Sequence, residues 1–202
     1  MEKYIYIGSI LLGYGLLHGY FNYSAQITGD TFYNNKDNPE VYDILHKILP
    51  NYDQKDWLTD YMALIAFIPL ILNFNQEFML EFIGFIIVVY LIRDVIINLT
   101  ILPKHMNCSI KKEQMTNYEY FIGGCYDKIF SGHFSLTMML TLLYYTYGYV
   151  TNIPLLIGWN LINGLIIIST RSHYTIDVVM AIFVCLTVFT NDIKIPFNKM
   201  IN

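Results

Sequence analysis

The chain alternates between long apolar runs and shorter polar stretches that gather most of the charge. Six runs stand out: Tyr4–Tyr20, Trp57–Leu72, Phe78–Leu102, Phe134–Val150, Ile153–Ser169 and Tyr174–Thr190. Each approaches the roughly 20 residues that a helix needs to cross a bilayer core. The pattern predicts an all-α polytopic membrane protein, a bundle of six transmembrane helices forming one integral domain over residues 1–202. No Gly/Ser linker, low-complexity tail or internal repeat interrupts it. The turn between the fifth and sixth runs is so short that it forces an antiparallel hairpin. Within the polar stretch 21–56, Val41–Leu49 reads as a short interfacial helix with Ile44, Leu45, Ile48 and Leu49 on one face. Gly123-Gly124 marks a flexible or close-approach point in the stretch 103–133. The first run has no basic leader and no small-x-small cleavage site, which favours a retained helix over a signal peptide.

Composition sharpens this picture. Of 202 residues, 55% are hydrophobic, and the mean hydropathy is +0.42. That is too apolar for an ordinary soluble domain of this size. The net charge of -4 argues against a nucleic-acid partner. Eighteen tyrosines, many near the ends of runs, suit an interfacial aromatic belt. Six spans leave both termini on one side and the stretches 21–56, 103–133 and 170–173 on the other. Most lysines lie in the latter, so a plain positive-inside count places those loops in the cytoplasm.

Ionisable residues within or at the mouth of apolar runs are costly in a membrane, and they are candidates for function. Ser131-Gly132-His133 opens the fourth run. Ser131 is a good N-cap, Gly132 admits close approach of a ligand, and free N–H groups at a helix start suit a phosphate. His133 then sits in the first turn, as a catalytic group or as an interfacial histidine. His173 and Asp177 are four residues apart and share a helical face. A carboxylate there can hold Nδ1–H and leave Nε2 free to act as nucleophile or base; the alternative is a structural pair that stitches two helices. Asp127, six residues before His133, either orients that histidine or is a solvated loop carboxylate. Arg171 either meets an anionic phosphate or is an interfacial arginine. Arg93 lies inside the third run beside Asp94, and neighbours on a helix face different ways. It therefore calls for a partner from another element or a bound phosphate. His18, His46 and His105 read as interfacial or loop residues. No metal-ligating motif is present, and no metal or other cofactor is expected.

Taken together, these segments resemble the sphingomyelin synthase family, within the wider type 2 phosphatidic acid phosphatase superfamily. Cys125-Tyr-Asp-Lys-Ile-Phe-Ser-Gly-His133 resembles its Cys-Gly-Asp-x-x-x-Ser-Gly-His block, and His173-Tyr-Thr-Ile-Asp-Val-Val179 its His-Tyr-Thr-x-Asp-Val block. Tyr90-Leu-Ile-Arg93 with Thr100-Ile-Leu-Pro103 is similar to the third-helix signature. Leu49-Pro50 with Asp56-Trp57 is similar to the entry to the second helix. Order and spacing agree over about residues 40–190. Tyr126 departs from the usual glycine, Phe134 from the usual threonine, and Ile122 from the usual acidic residue or histidine.

The resemblance implies six helices and a metal-free active site on the lumenal or exoplasmic face, against the lysine count. It implies a transferase of phosphorus-containing groups in sphingolipid metabolism. A phospho-headgroup, phosphocholine or phosphoethanolamine, would pass from a glycerophospholipid donor to ceramide through a phosphohistidine, releasing diacylglycerol. His173 is then the nucleophile, Asp177 its orienting carboxylate and His133 the acid and base; Asp127, Ser131, Gly132, Arg93 and Arg171 are supporting or phosphate-binding residues. Cys108 and Cys125 match cysteine positions of the family and suggest a disulfide, whereas Cys185 reads as a packed thiol. One alternative is a lipid phosphate phosphatase of the same superfamily, whose lysine–Arg-Pro motif is absent and whose usual arginine position holds Ile167. The other is a degenerate membrane scaffold without turnover.

Overall fold

All six apolar runs fold as helix. The computed structural model describes residues 2–33, 41–103 and 125–201, and among these there is no strand. In chain order the helices are α1 (Glu2–Tyr33), α2 (Ile44–Ile48), α3 (Trp57–Ala66), α4 (Ile68–Leu72), α5 (Gln76–Leu99), α6 (Gly132–Thr146), α7 (Ile153–Ser169), α8 (Thr175–Thr190) and α9 (Phe197–Ile201). A single 3-10 turn, Asp53–Lys55, precedes α3.

Two elements differ from the sequence expectation. The first helix does not stop at Tyr20 but runs to Tyr33, because the polar residues beyond Tyr20 are not solvated: Asn22 and Gln26 are fully buried. The second run is split. Pro69 has no N–H to donate and its ring blocks the preceding turn, so α3 ends at Ala66, with Phe67 as its C-cap, and α4 restarts with the proline in its first turn. The short helix expected at Val41–Leu49 forms over Ile44–Ile48, with Asp43 as its N-cap accepting from His46 N–H at 3.0 Å.

Side-chain caps start α5, α6 and α7, and the cap on α6 is the serine that the sequence suggests. Asn75 caps α5, Asn152 caps α7, and Ser131 caps α6 by accepting from Phe134 N–H at 3.3 Å. The helices α5 and α6 are central. α5 packs on α1, α6 and α8, and α6 packs on α3, α7 and α8. Between them lies a core that includes Phe78, Phe85, Val89, Met139, Leu140, Leu143 and Cys185, each almost wholly buried. Gly84 brings α5 against the chain before α9: a Cβ there would overlap the Ile195 carbonyl.

α6, α7 and α8 are 15, 17 and 16 residues long. At a rise of about 1.5 Å per residue, each falls short of a bilayer core. α5 is longer, but it carries Glu77, Glu81, Arg93 and Asp94. Among the described residues, no helix is long and apolar enough to cross a membrane.

Candidate active site

The polar termini of five elements converge at one end of the bundle. Tyr52 N–H donates to Ser169 O at 2.8 Å, joining the approach to α3 to the end of α7. Thr59 Oγ1 lies 3.3 Å from Thr170 Oγ1 and 3.4 Å from Ser172 Oγ. Asp43 accepts from the N–H and the hydroxyl of Thr175, both at 2.6 Å, fixing α2 to the start of α8.

At this end sits a buried histidine–carboxylate pair. His173 is 6% exposed and Asp177 fully buried. Nδ1 of His173 lies 2.9 Å from Asp177 Oδ2, so the carboxyl group selects the tautomer with the proton on Nδ1 and the lone pair on Nε2. Asp177 is itself fixed. Tyr174 N–H donates to Oδ2 at 2.9 Å and Ile129 N–H to Oδ1 at 2.8 Å. Its backbone carbonyl accepts from Ser131 N–H at 3.2 Å. A buried carboxylate with three donors is neutralised by fixed dipoles and does not drift. Burial pushes the His173 imidazole below its ordinary pKa; Asp177 opposes this, and Lys128 adds to it. The ring is therefore neutral at neutral pH.

The loop 125–131 reaches this pair through a strained turn. Ile129 has φ +82°, a left-handed conformation that a β-branched residue rarely adopts and that costs about 1–3 kcal/mol. The turn aims the Ile129 N–H at Asp177 and brings Lys128 in. Lys128 is 8% exposed and its Nζ donates to the Ser172 carbonyl, directly before His173. Sequence reasoning missed Lys128, because it falls on an unspecified position of the block that identified its neighbours.

His133 stands in the first turn of α6, about half exposed, with Nε2 2.9 Å from Asp60 Oδ1. Asp60 neighbours Thr59, which reaches Ser172, so the first turn of α3 ties both imidazoles to the same end of the bundle. Asp127 does not orient His133, nor is it a solvated carboxylate. It accepts from Arg93 Nη2 at 2.8 Å. Burial acts to raise its pKa, but Lys128, Arg93 and His173 outweigh that and hold it below the ordinary carboxylate value. The carboxylate at His133 is Asp60, 73 positions away in sequence; no spacing rule could have found it.

Arg93 therefore has its protein partner. Nη1 also donates to Asn22 Oδ1 at 3.0 Å and comes within 3.4 Å of Asp94 Oδ1, despite the expectation that Asp94 faces away. The length of the arginine side chain lets it curl back. Asp94 in turn holds His18, whose Nδ1 is 2.8 Å and 2.9 Å from its two oxygens. His18 is thus an interhelical group rather than an interfacial one. His46 is not a loop bystander either: Nε2 lies 3.1 Å from the His173 carbonyl, and its ring packs on Tyr174. Arg171 is not turned to an open anion site. With φ +57°, it donates to the carbonyls of His46 at 2.6 Å, and of Leu49 and Ile168 at 3.4 Å. It caps the ends of α2 and α7.

Gly132 packs beneath Tyr90, whose hydroxyl donates to the Gly132 carbonyl at 3.2 Å, and a Cβ there would crowd the Tyr90 ring at 3.0 Å. Cys125 is disulfide-bonded; Cys108, the expected partner, lies outside the described residues, as do His105, Ile122 and Gly123-Gly124. Cys185 is a buried free thiol, as expected. Among the described residues, no cluster of His, Cys, Asp or Glu could hold a metal ion.

Beside this centre runs an apolar groove of about 570 Å³ between α6, α7 and α8. Leu45, Phe134, Ile168 and Thr175 line its polar end, and Leu142, Ile153 and Leu186 lie along its length.

A carboxylate-held histidine thus stands just before one helix and a second histidine in the first turn of another. The family model for the PAP2 superfamily C-terminal region matches residues 124–193, which hold both. Phosphatidylinositol:ceramide inositolphosphotransferase 2 of Arabidopsis thaliana is 42% identical over 76 residues, 36% of this chain and 25% of that protein. The phosphatidylinositol:ceramide inositolphosphotransferase of Oryza sativa subsp. japonica is 42% identical over 76 residues, 36% of this chain and 23% of its own. Phosphatidylinositol:ceramide inositolphosphotransferase 3 of Arabidopsis thaliana is 37% identical over 79 residues, 37% of this chain and 27% of that protein. The chain thus spans about a quarter of the length of the curated relatives it matches. These matches support the sphingolipid-synthase resemblance within the superfamily.

Proposed function

We propose that this chain transfers a phospho-headgroup from a glycerophospholipid to ceramide and releases diacylglycerol. The observation that carries the reading is the buried His173–Asp177 pair, with Nε2 left as the free lone pair. In the first half-reaction His173 Nε2 attacks phosphorus and the bond to the diacylglycerol oxygen breaks. His133 gives that oxygen its proton. In the second, His133 takes the proton of the primary hydroxyl of ceramide, whose oxygen attacks phosphorus as the P–N bond breaks. Asp60 holds the His133 ring in place, with Nε2 2.9 Å from its Oδ1. Lys128, buried beside His173, supplies positive charge where the phosphoryl oxygens gain negative charge. The N–H groups at the start of α6 add to it. Arg93 and Arg171 hold protein groups instead. No cofactor enters this scheme.

Two further observations support a lipid substrate. The apolar groove is lined at one end by Phe134, next to His133 in sequence, and by Thr175, two positions after His173, and it suits one acyl or sphingoid chain. Large apolar side chains cover the outer surface, including Leu12, Leu16, Leu64, Leu72, Leu155, Leu161 and Phe183, each at least 59% exposed. Such a surface fits hydrocarbon rather than water. The chain thus acts as a single integral bundle of six membrane-embedded segments with its site at the lumenal or exoplasmic face, where a Cys108–Cys125 disulfide would persist. The relatives are named for phosphatidylinositol as donor, so a phosphatidylinositol donor is the first to test, beside the phosphocholine and phosphoethanolamine lipids that the resemblance implies.

The test is a lipid-product assay in membranes that express the chain, with fluorescent ceramide and each donor in turn. A ceramide product bearing the donor's headgroup is expected. Water-soluble headgroup phosphate formed without a ceramide product would instead establish the phosphatase alternative, and no turnover with any donor would favour the scaffold.

A further inference from the structure

We propose that α1, which lies outside both the matched segment and the family-like region, is a working part of the transfer site: Gln26 is a positioning residue for the loop 125–131. The proposal rests on the transfer reading above and deepens it.

Gln26 is fully buried. Its Oε1 accepts from two consecutive backbone amides of the loop, Cys125 N–H at 2.8 Å and Tyr126 N–H at 3.0 Å. A buried carbonyl oxygen that uses both lone pairs on adjacent amides fixes where a chain runs and also how it is rotated. Three residues further on, Gly29 makes a notch. A Cβ at that position would overlap the Tyr126 ring, so only glycine admits this tyrosine. The ring then stacks on Tyr33, with centroids 5.9 Å apart and planes at 6°. Four residues before Gln26, Asn22 accepts from Arg93, which holds Asp127. Asn22, Gln26, Gly29 and Tyr33 thus form one stripe on α1, and each member of it reaches the loop directly or through one side chain.

The opposite side of the loop is held by the catalytic pair, through Ile129 N–H on the Asp177 carboxylate and Ser131 N–H on the Asp177 carbonyl. The loop is therefore clamped between α1 and the His173–Asp177 pair, and any slack on the α1 side is transmitted to the groups meant to meet phosphorus. The stripe also accounts for Tyr126. A tyrosine where the related block has glycine fits because Gly29 makes room for it on the facing helix.

The test uses the full chain in membranes, with kcat and KM for donor and ceramide, thermal midpoint, and amide hydrogen exchange of the 125–131 segment. Gln26→Leu keeps the volume and removes the acceptor. It should lower kcat by about 10–10²-fold, as misplaced reacting groups do, with both KM values within about twofold, and should speed exchange in 125–131. Gln26→Glu, which keeps an oxygen able to accept both amides, should recover most of kcat. Gly29→Ala should reproduce the loss, and Tyr126→Gly in the same chain should reverse it. Wild-type kcat and unchanged exchange in Gln26→Leu would overturn the proposal; so would a loss that Gln26→Glu and the Gly29–Tyr126 double variant both fail to recover. A wild-type chain without transferase activity would refute the transfer reading, and the exchange comparison would still decide whether Gln26 holds the loop.

Discussion

Asp177 shows how much one side chain can set. It fixes the tautomer of His173, anchors Ile129 in a strained turn and caps the start of α8. Asp177→Asn keeps the shape but offers an amide that can present the wrong group to Nδ1. Turnover should fall by about 10²–10⁴-fold in the ceramide assay, and retention of half the wild-type rate would remove Asp177 from the mechanism. The pH profile is a second check. His173 must be unprotonated to attack, and burial with Lys128 nearby lowers its pKa. The acidic limb of kcat/KM should therefore lie below the ordinary imidazole range. Lys128→Met removes one of the influences that lower it, so the limb should move to higher pH while kcat drops; a limb that stays put or moves to lower pH would contradict the placement of Lys128. The sequence made His173–Asp177 legible because the two lie four positions apart, although His173 stands just before α8, which begins at Thr175, and not on its face as the spacing suggested. It could not reveal His18–Asp94 or His133–Asp60, which are 76 and 73 positions apart. Such pairs exist only once the helices have packed.

At the level of elements, the apolar runs predicted the helices because a run of this length satisfies all its backbone groups within itself as a helix, in a core or in a bilayer. Their lengths were less legible. α1 runs 13 residues past its apolar run because Asn22 and Gln26 find partners on α5 and the loop 125–131, a reward invisible to hydropathy. Pro69 divided the second run for a local reason that the sequence does carry. Gly84 sets the spacing of α5 from the segment that enters α9, since Ile195 N–H donates to the Gly84 carbonyl at 3.3 Å and the Ile195 carbonyl occupies the space of a side chain. Gly84→Ala should lower stability by about 1–3 kcal/mol, read as a drop in thermal midpoint in detergent. An unchanged midpoint would mean that α9 is not docked there.

For the whole molecule, polar termini are gathered at one end, an apolar groove runs beside them, and much of the outer surface is hydrocarbon. Expressed chain should sediment with membranes, resist carbonate extraction and come into solution with detergent; recovery in the supernatant without detergent would contradict the membrane-embedded reading. The central claim is that His173 carries the phosphoryl group between donor and acceptor. The most direct measurement incubates the chain with phosphatidylinositol labelled at phosphorus, without ceramide, and locates the label by mass spectrometry. The account predicts acid-labile label on His173, absent from His173→Ala and discharged onto added ceramide. Label on another residue, or product formed by His173→Ala at the wild-type rate, would contradict it.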